Sequence, residues 1–470
     1  MKLYNIILPD RDPKSRWDIV FDDNTIISMV PAGEAASSPQ PASILLPALC
    51  HPHIHLDKPY LLTCNYSHPS HYPDYSDLTP QTGTFGEALS FTGQAKARYT
   101  PQDLYLRGSQ LLATSLIQGV TSCRAFVELD HVTGTQCLDA AFELERAFKD
   151  KVDVQICAFA QDPVFSSEHG GENRQILEDT LQKYAGMIAA LGTTPYVEAS
   201  VEASLQNISW AIQVALKHDL HLDFHLDYSL NEGDESGPMV WEVIRLLKEA
   251  DWNARAKRGK TIVLGHCSRL TMLSNKQMKT LAAQIRDSKL PVHFVGLPTS
   301  DLFMMGRPNS AGGNDGDEGG LRTAHRPRGT LQIPSMIRDS GLDACLSVNN
   351  VGNAFTPWGS GDPLALASLG VGVYQASTEA DARILLECVS TRARRAIGLD
   401  LSGRDISGGE EAQSQDLLWE GRKGDILLIK NEEWVGCPGH LGLKIPARQR
   451  VGIKDVVWDP PETKLREILR

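Results

Sequence analysis

No run of 18 or more apolar residues occurs in this chain of 470, so nothing in it is long enough to span a bilayer as a helix. Basic side chains do not predominate. Forty-six Lys and Arg face 58 Asp and Glu, and the formal net charge of −12 repels a phosphate backbone at long range. Neither a membrane nor a nucleic acid is therefore expected as a partner. Paired cysteine motifs are missing too: the nine cysteines, at 50, 64, 123, 137, 157, 267, 345, 388 and 437, include no Cys-x-x-Cys. An odd number of scattered thiols in a chain this long reads as reduced cysteine in a cytoplasmic protein rather than a disulfide framework. The N-terminal MKLYNIILPDRD has neither a long apolar core nor a small-residue cleavage site, so export is not expected.

What is present has the length of a barrel enzyme with a small second module. Residues 17–30, WDIVFDDNTIISMV, alternate around an Asp-Asp-Asn turn and read as a β-hairpin, followed by a Pro/Ala/Ser linker over 31–43. Near the other end, GDILLIK (424–430) and KDVVWD (454–459) have strand character, and the two ends can pair into one β-module. Between them, eight candidate strands alternate with helical stretches such as PQDLYLRGSQLLATSLIQG. The strands are ILLPAL (44–49), VTSCRAFV (120–127), VDVQICAFA (152–160), PYVEASV (195–201), LHLDFHL (220–226), TIVLGHC (261–267), VHFVGL (292–297) and ACLSVN (344–349). Eight such alternations predict an α/β fold, a closed (β/α)₈ barrel whose chemistry sits at the C-terminal strand ends. The connection 306–329, rich in Gly, Asn and Asp, reads either as a mobile surface loop or as a lid over that end.

Histidines gather at those ends. In HPHIHLDK (51–58), His53 and His55 are two apart, so on extended backbone both imidazoles face one side and can share an ion. The fifth strand places His221, Asp223, His225 and Asp227 on one face, with His225 best placed to ligate and His221 nearer the bottom in a structural role. His266 closes the sixth strand, either as a site residue or as a hydrogen-bonded core histidine. These residues, with AFAQD (158–162), PTSDLFMMGR (298–307) and RGTLQIPSMIRDSGLDACLSVNNV (328–351), make residues 44 to about 400 resemble cytosine deaminase and related triazine hydrolases of the amidohydrolase superfamily.

The resemblance implies that 1–43 and 408–470 form a small β-sandwich beside a barrel over 44–407. It also implies one divalent metal ion, Zn²⁺ or Fe²⁺, held by His53, His55 and His225 with Asn349 as a weak fourth ligand. His266 would then orient water or a substrate carbonyl, and Gln161 would hold the substrate edge. The expected reaction is hydrolysis of a carbon–nitrogen bond, other than a peptide bond, in a small cyclic amide or amidine. The expected partner is a small-molecule substrate, and a homo-oligomer stays open.

Two positions depart from the family's pattern. Asn349 stands where the family has a metal-binding, proton-accepting aspartate, and Tyr228 stands where it has a proton-shuttling glutamate; an amide accepts no proton at neutral pH. Three readings follow. Another carboxylate takes over, with Asp301 after the seventh strand favoured, Asp227 beside His225 and Asp223 behind it. Alternatively the metal site serves a lyase or cyclase step in which Tyr228 exchanges a proton, or the chain only binds a ligand. Lys58 reads either as a recogniser of an anionic group or as a solvated loop lysine.

Overall fold

The computed structural model describes residues 1–33, 41–64, 72–230, 237–306, 329–399, 416–436 and 444–470. Strands β1 (Lys2–Ile6), β2 (Trp17–Asp22) and β3 (Thr25–Pro31) form an antiparallel sheet, the last two being the predicted hairpin. Strand β4 (Ile44–Pro47) follows, and then eight parallel strands in chain order make the barrel wall. They are β5 (Leu49–His55), β6 (Val120–Glu128), β7 (Asp153–Ala160), β8 (Ala190–Thr193), β9 (His221–Leu226), β10 (Ile262–His266), β11 (Val292–Gly296) and β12 (Ala344–Leu346). Further on lie β13 (Ile426–Ile429), the pair β14 (Trp434–Gly436) and β15 (Lys444–Pro446), and β16 (Arg466–Leu469). β4, β13 and β16 make a second antiparallel sheet, and bridges Ile7↔Ile44 and Thr25↔Lys423 tie it and its neighbouring loop to the N-terminal strands. The (β/α)₈ barrel with a flanking β-module is thus present. Among the described residues no helix is long and apolar enough to cross a membrane.

The barrel closes through a seam rather than a long ladder. One parallel bridge, Ile54↔Asn349, joins its first and last walls; the Asn349 N–H donates to His53 O and the His55 N–H donates to Asn349 O. Strand burial follows from closure. All nine residues of β6 are buried, as expected where helices cover one side of a strand and the barrel interior the other.

Three predicted strands need correction. ILLPAL splits, because Ile44–Pro47 pairs antiparallel with β13 while the barrel strand begins at Leu49, which puts His53 and His55 inside the strand rather than after it. PYVEASV is a 3₁₀ turn over Pro195–Val197 running into a helix whose N-cap is Ser200; the barrel strand is the preceding Ala-Leu-Gly-Thr of β8. Pro195 cannot donate to a ladder, and the small residues of β8 have low strand propensity but fit a crowded interior. KDVVWD belongs to the helix Ile453–Trp458, which buries Ile453, Val456 and Val457 at three-to-four spacing and whose first turn is held by the Asp455 carboxylate, an acceptor from the Val451 and Gly452 N–H groups. Nearly all of the connection 306–329, and residues 34–40 of the linker, lie outside the described residues.

Candidate metal and ligand site

Alternation on β9 turns His221, Asp223 and His225 into the barrel and Leu222, Phe224 and Leu226 toward the helices. His221 lies low in it, bonded to Thr261, as expected of a structural residue. At the top, His225 meets the two histidines of β5: its Nε2 lies 3.1 Å from His53 Nε2 and 3.3 Å from His55 Nε2. Among the described residues this is the one cluster suited to a metal, with candidate ligand atoms all within 4.8 Å of one another. Burial lowers the His53 pKa and holds those of His55 and His225 well below the ordinary value, so the imidazoles are neutral, the form a cation binds.

The residues present fit a divalent ion. Nitrogen ligands about 2.0–2.1 Å from a tetrahedral centre lie about 3.3 Å apart, close to the two distances found. Asn349 Nδ2 donates to Ser300 Oγ at 2.9 Å, which leaves its buried Oδ1 without a hydrogen-bond donor of its own beside His55. Asn349 has φ 66°, a left-handed conformation that Asn tolerates well. Three neutral imidazoles and an amide oxygen converging in this way form a donor set that suits a cation.

Space for the rings is made by two glycines. A Cβ on Gly265 would stand 3.2 Å from His53 Cε1, and one on Gly192 would meet Phe159 at 2.9 Å and Phe126 at 3.0 Å. Phe126 and Phe159 form the floor, with ring centroids 4.1 Å from His53 and 4.6 Å from His225 respectively. Beneath it, Asp223 bonds Arg124 at 3.0 Å and stands 3.7 Å from His53 Nδ1.

His266 ends β10 with φ 65°, so the chain turns there and the imidazole lies across the mouth. Its Nδ1 pairs with Asp301 Oδ1 at 2.9 Å, and the other carboxylate oxygen accepts from the Thr330 hydroxyl at 2.7 Å. Asp301 is therefore buried at the site but reaches it through His266; burial raises its pKa while His266 opposes the rise. Tyr228 stacks on His266 at 3.8 Å with its buried hydroxyl unpartnered. Burial holds that phenol well above its ordinary pKa.

Asp227 lies elsewhere: its carboxylate accepts from the Met239 and Val240 N–H groups, at the start of the helix Val240–Glu249. Lys58 is neither solvated nor open to a ligand. It is 1% exposed, pairs with Glu128 at 2.5 Å and donates to Gln161 Oε1 at 3.2 Å. Glu128 is shared with Lys96, which also holds Asp130.

His55, His225, His266, Gln161, Tyr228 and Asn349 line one narrow cavity, whose free volume of about 10 Å³ is room for about one water. Tyr196, Asn350 and Phe355 complete the lining, and sequence reasoning missed all three. The Asn349-Asn350 pair and Asn353 were the available signal, as amides just beyond a barrel strand end. A larger cavity of about 550 Å³, bordered by Met278 and Met336, brings no comparable metal-binding set together, so the chemistry is assigned to the smaller one.

No protein-family model and no curated protein matches the chain. Solved structures do. Over 91% of each chain it is similar to 5-methylcytosine deaminase from Klebsiella pneumoniae liganded with 5-fluorocytosine, at TM-score 0.70 and 19% identity. N-isopropylammelide isopropylaminohydrolase from Burkholderia multivorans gives TM-score 0.62 and 20% identity over 93% of this chain and 96% of its own. An adenosine deaminase from Xanthomonas campestris with bound zinc gives 0.50 and 13%, over 91% and 84%. At these identities the likeness speaks for architecture, and the chain has the barrel-and-β-module fold of those deaminases and that aminohydrolase.

Proposed function

We propose that the chain is a metal-dependent hydrolase of the amidohydrolase superfamily acting on a non-peptide carbon–nitrogen bond of a small cyclic amide or amidine. The observation that carries this reading is the convergence of three neutral histidines beside a second, carboxylate-anchored histidine in one small cavity. His53, His55 and His225 would hold one divalent ion, Zn²⁺ or Fe²⁺, with Asn349 Oδ1 as the fourth protein donor. Such an ion polarises a ligand oxygen and lowers the pKa of water.

The chain's own residues carry the proton. Asn349 cannot accept one, and Asp301 supports His266 as the carboxylate of a catalytic triad supports its histidine. With Nδ1–H fixed on Asp301, His266 keeps Nε2 for the cavity that it lines. There it takes a proton from water as oxygen adds to the substrate carbon, and returns it to the nitrogen as the carbon–nitrogen bond breaks. Asp301 is thus a positioning residue, and Tyr228 offers a donor to charge developing on the substrate. A lyase or cyclase step on the same residues is the second reading, favoured by the unpartnered Tyr228 hydroxyl.

The test is direct. Purified protein should hold about one metal ion per chain and lose turnover on chelation, and ¹⁸O from labelled water should enter the product. His266→Gln should keep the metal and lower kcat by about 10²–10⁴-fold. Turnover without ¹⁸O uptake would promote the second reading, and a chain that binds no metal would end both.

A further inference from the structure

An amide side chain can hold a cation with its oxygen and not with its NH₂, so Asn349 is a ligand only while it is turned the right way. A carboxylate would need no such control. Asn349 Nδ2 donates to Ser300 Oγ at 2.9 Å, and Ser300 Oγ lies 2.6 Å from Thr356 Oγ1. All three side chains are buried.

Both hydroxyls are held by their own backbone. Ser300 stands in the first turn of the helix Pro298–Met304, where the neighbouring Thr299 hydroxyl donates to Val348 O at 2.9 Å and so pins the helix start to the segment that carries Asn349. Thr356 is fixed by a turn: its N–H donates to Asn353 O at 3.0 Å, and the Asn353 N–H donates back to Thr356 O at 3.2 Å.

A hydroxyl has one proton and two lone pairs, and one of these two must supply the proton between them. If Ser300 supplies it, Ser300 meets Asn349 with lone pairs alone, which suit the NH₂ and not the amide oxygen. A Ser300 proton left free would suit the oxygen instead, and a half-turn of the amide would then aim NH₂ at the histidines. The direction found, Nδ2 to Oγ, is the first of these, and it leaves Oδ1 buried beside His55 with no donor of its own.

We infer that Ser300 and Thr356 are positioning residues for a metal ligand: Thr356 takes the Ser300 proton, Ser300 accepts from the Asn349 NH₂, and the amide oxygen is held toward the histidines. This rests on the reading that His53, His55 and His225 hold a divalent ion.

Thr356→Val keeps the shape and removes the acceptor of the Ser300 proton. Zinc affinity of the full-length chain, measured by competition with a chromogenic chelator, should fall about 3–10-fold, because apparent affinity scales with the fraction of amides still turned inward. In an Asn349→Asp background the same change should leave affinity undiminished, since both carboxylate oxygens accept and the freed Ser300 proton can bond one of them. Ser300→Ala in the Asn349 chain, which strips the NH₂ of its acceptor, should cost about 10–100-fold. Should Ser300→Ala fail to fold, Thr356→Val in the two backgrounds still decides. An equal fall in both backgrounds would make Thr356 merely structural, and no fall in either would deny it any control of Asn349; each overturns the inference while the parent still binds zinc. A parent that binds no zinc would overturn the metal reading as well.

Discussion

Gly265→Ala tests the histidine cluster without touching a ligand. Its Cβ would sit 3.2 Å from His53 Cε1 and 3.4 Å from Nδ1, whereas comfortable contact begins at about 3.5 Å. The ring must therefore give by about 0.3 Å, and Phe126, with its centroid 4.1 Å away, limits its retreat. Metal–ligand distances hold to about ±0.2 Å, so the shift exceeds what a well-formed site absorbs. Metal affinity should fall about 10–100-fold, as when a residue supporting a ligand is lost. The metal-free protein should not suffer equally, because replacing glycine by alanine within a strand gains about 0.5–1 kcal/mol, offsetting part of the crowding. Competition with a chromogenic chelator gives the affinity, and urea denaturation of metal-free protein gives the stability. Affinity within twofold of the parent would refute the claim that the three imidazoles share one ion; an equal collapse of both quantities would refute the claim that Gly265 acts locally.

Two other outcomes follow from burial and hydrogen bonding. Burial lowers the pKa of His51 to about 4, His293 to about 4 and His221 to about 2, so as pH falls below about 6.5 the unfolded chain takes up these protons first. Their contribution is complete above that pH and is lost on the way to each folded pKa, on the order of 1–3 kcal/mol per residue between pH 6.5 and 4; a urea midpoint constant from pH 7 to 4.5 would contradict this. Asp227→Ala removes the acceptor of two helix-start N–H groups and should cost about 1–2 kcal/mol in urea unfolding while leaving metal content unchanged, and a loss of metal would show that its role was misassigned.

Much of the site was legible because strand geometry translates spacing into direction. The alternation of His221, Asp223 and His225 needed only a period of two, and β10 and β11 were recognisable as apolar runs ending at His266 and Gly296. What stayed hidden depends on distant partners. Nothing near Lys58 in the sequence announces Glu128, 70 positions later on the next strand, and without it a lysine after His-Leu-Asp reads as exposed. Asp227 shares the parity of His225, yet its backbone has φ 49° and the strand has already ended, so parity stops predicting direction. β8 escaped because its four residues carry a weak intrinsic preference, and closure of the barrel rather than propensity makes them a strand.

The seam at Asn349 makes the site and the barrel mechanically inseparable. A cask fails where two staves are held by the fewest pegs, and here the backbone hydrogen bonds that hold first stave to last run to His53 O and from the His55 N–H, with the Ser347 hydroxyl bonded to His53 beside them. Any local opening of that joint must therefore displace two candidate ligands together with Asn349. An ion gripping them with His225, which stands on the far wall, would work as a rivet across the weakest joint. Amide protons at His55 and Asn349 should then exchange with solvent markedly more slowly once the ion is in place, and the pocket's order would be inherited from the joint's.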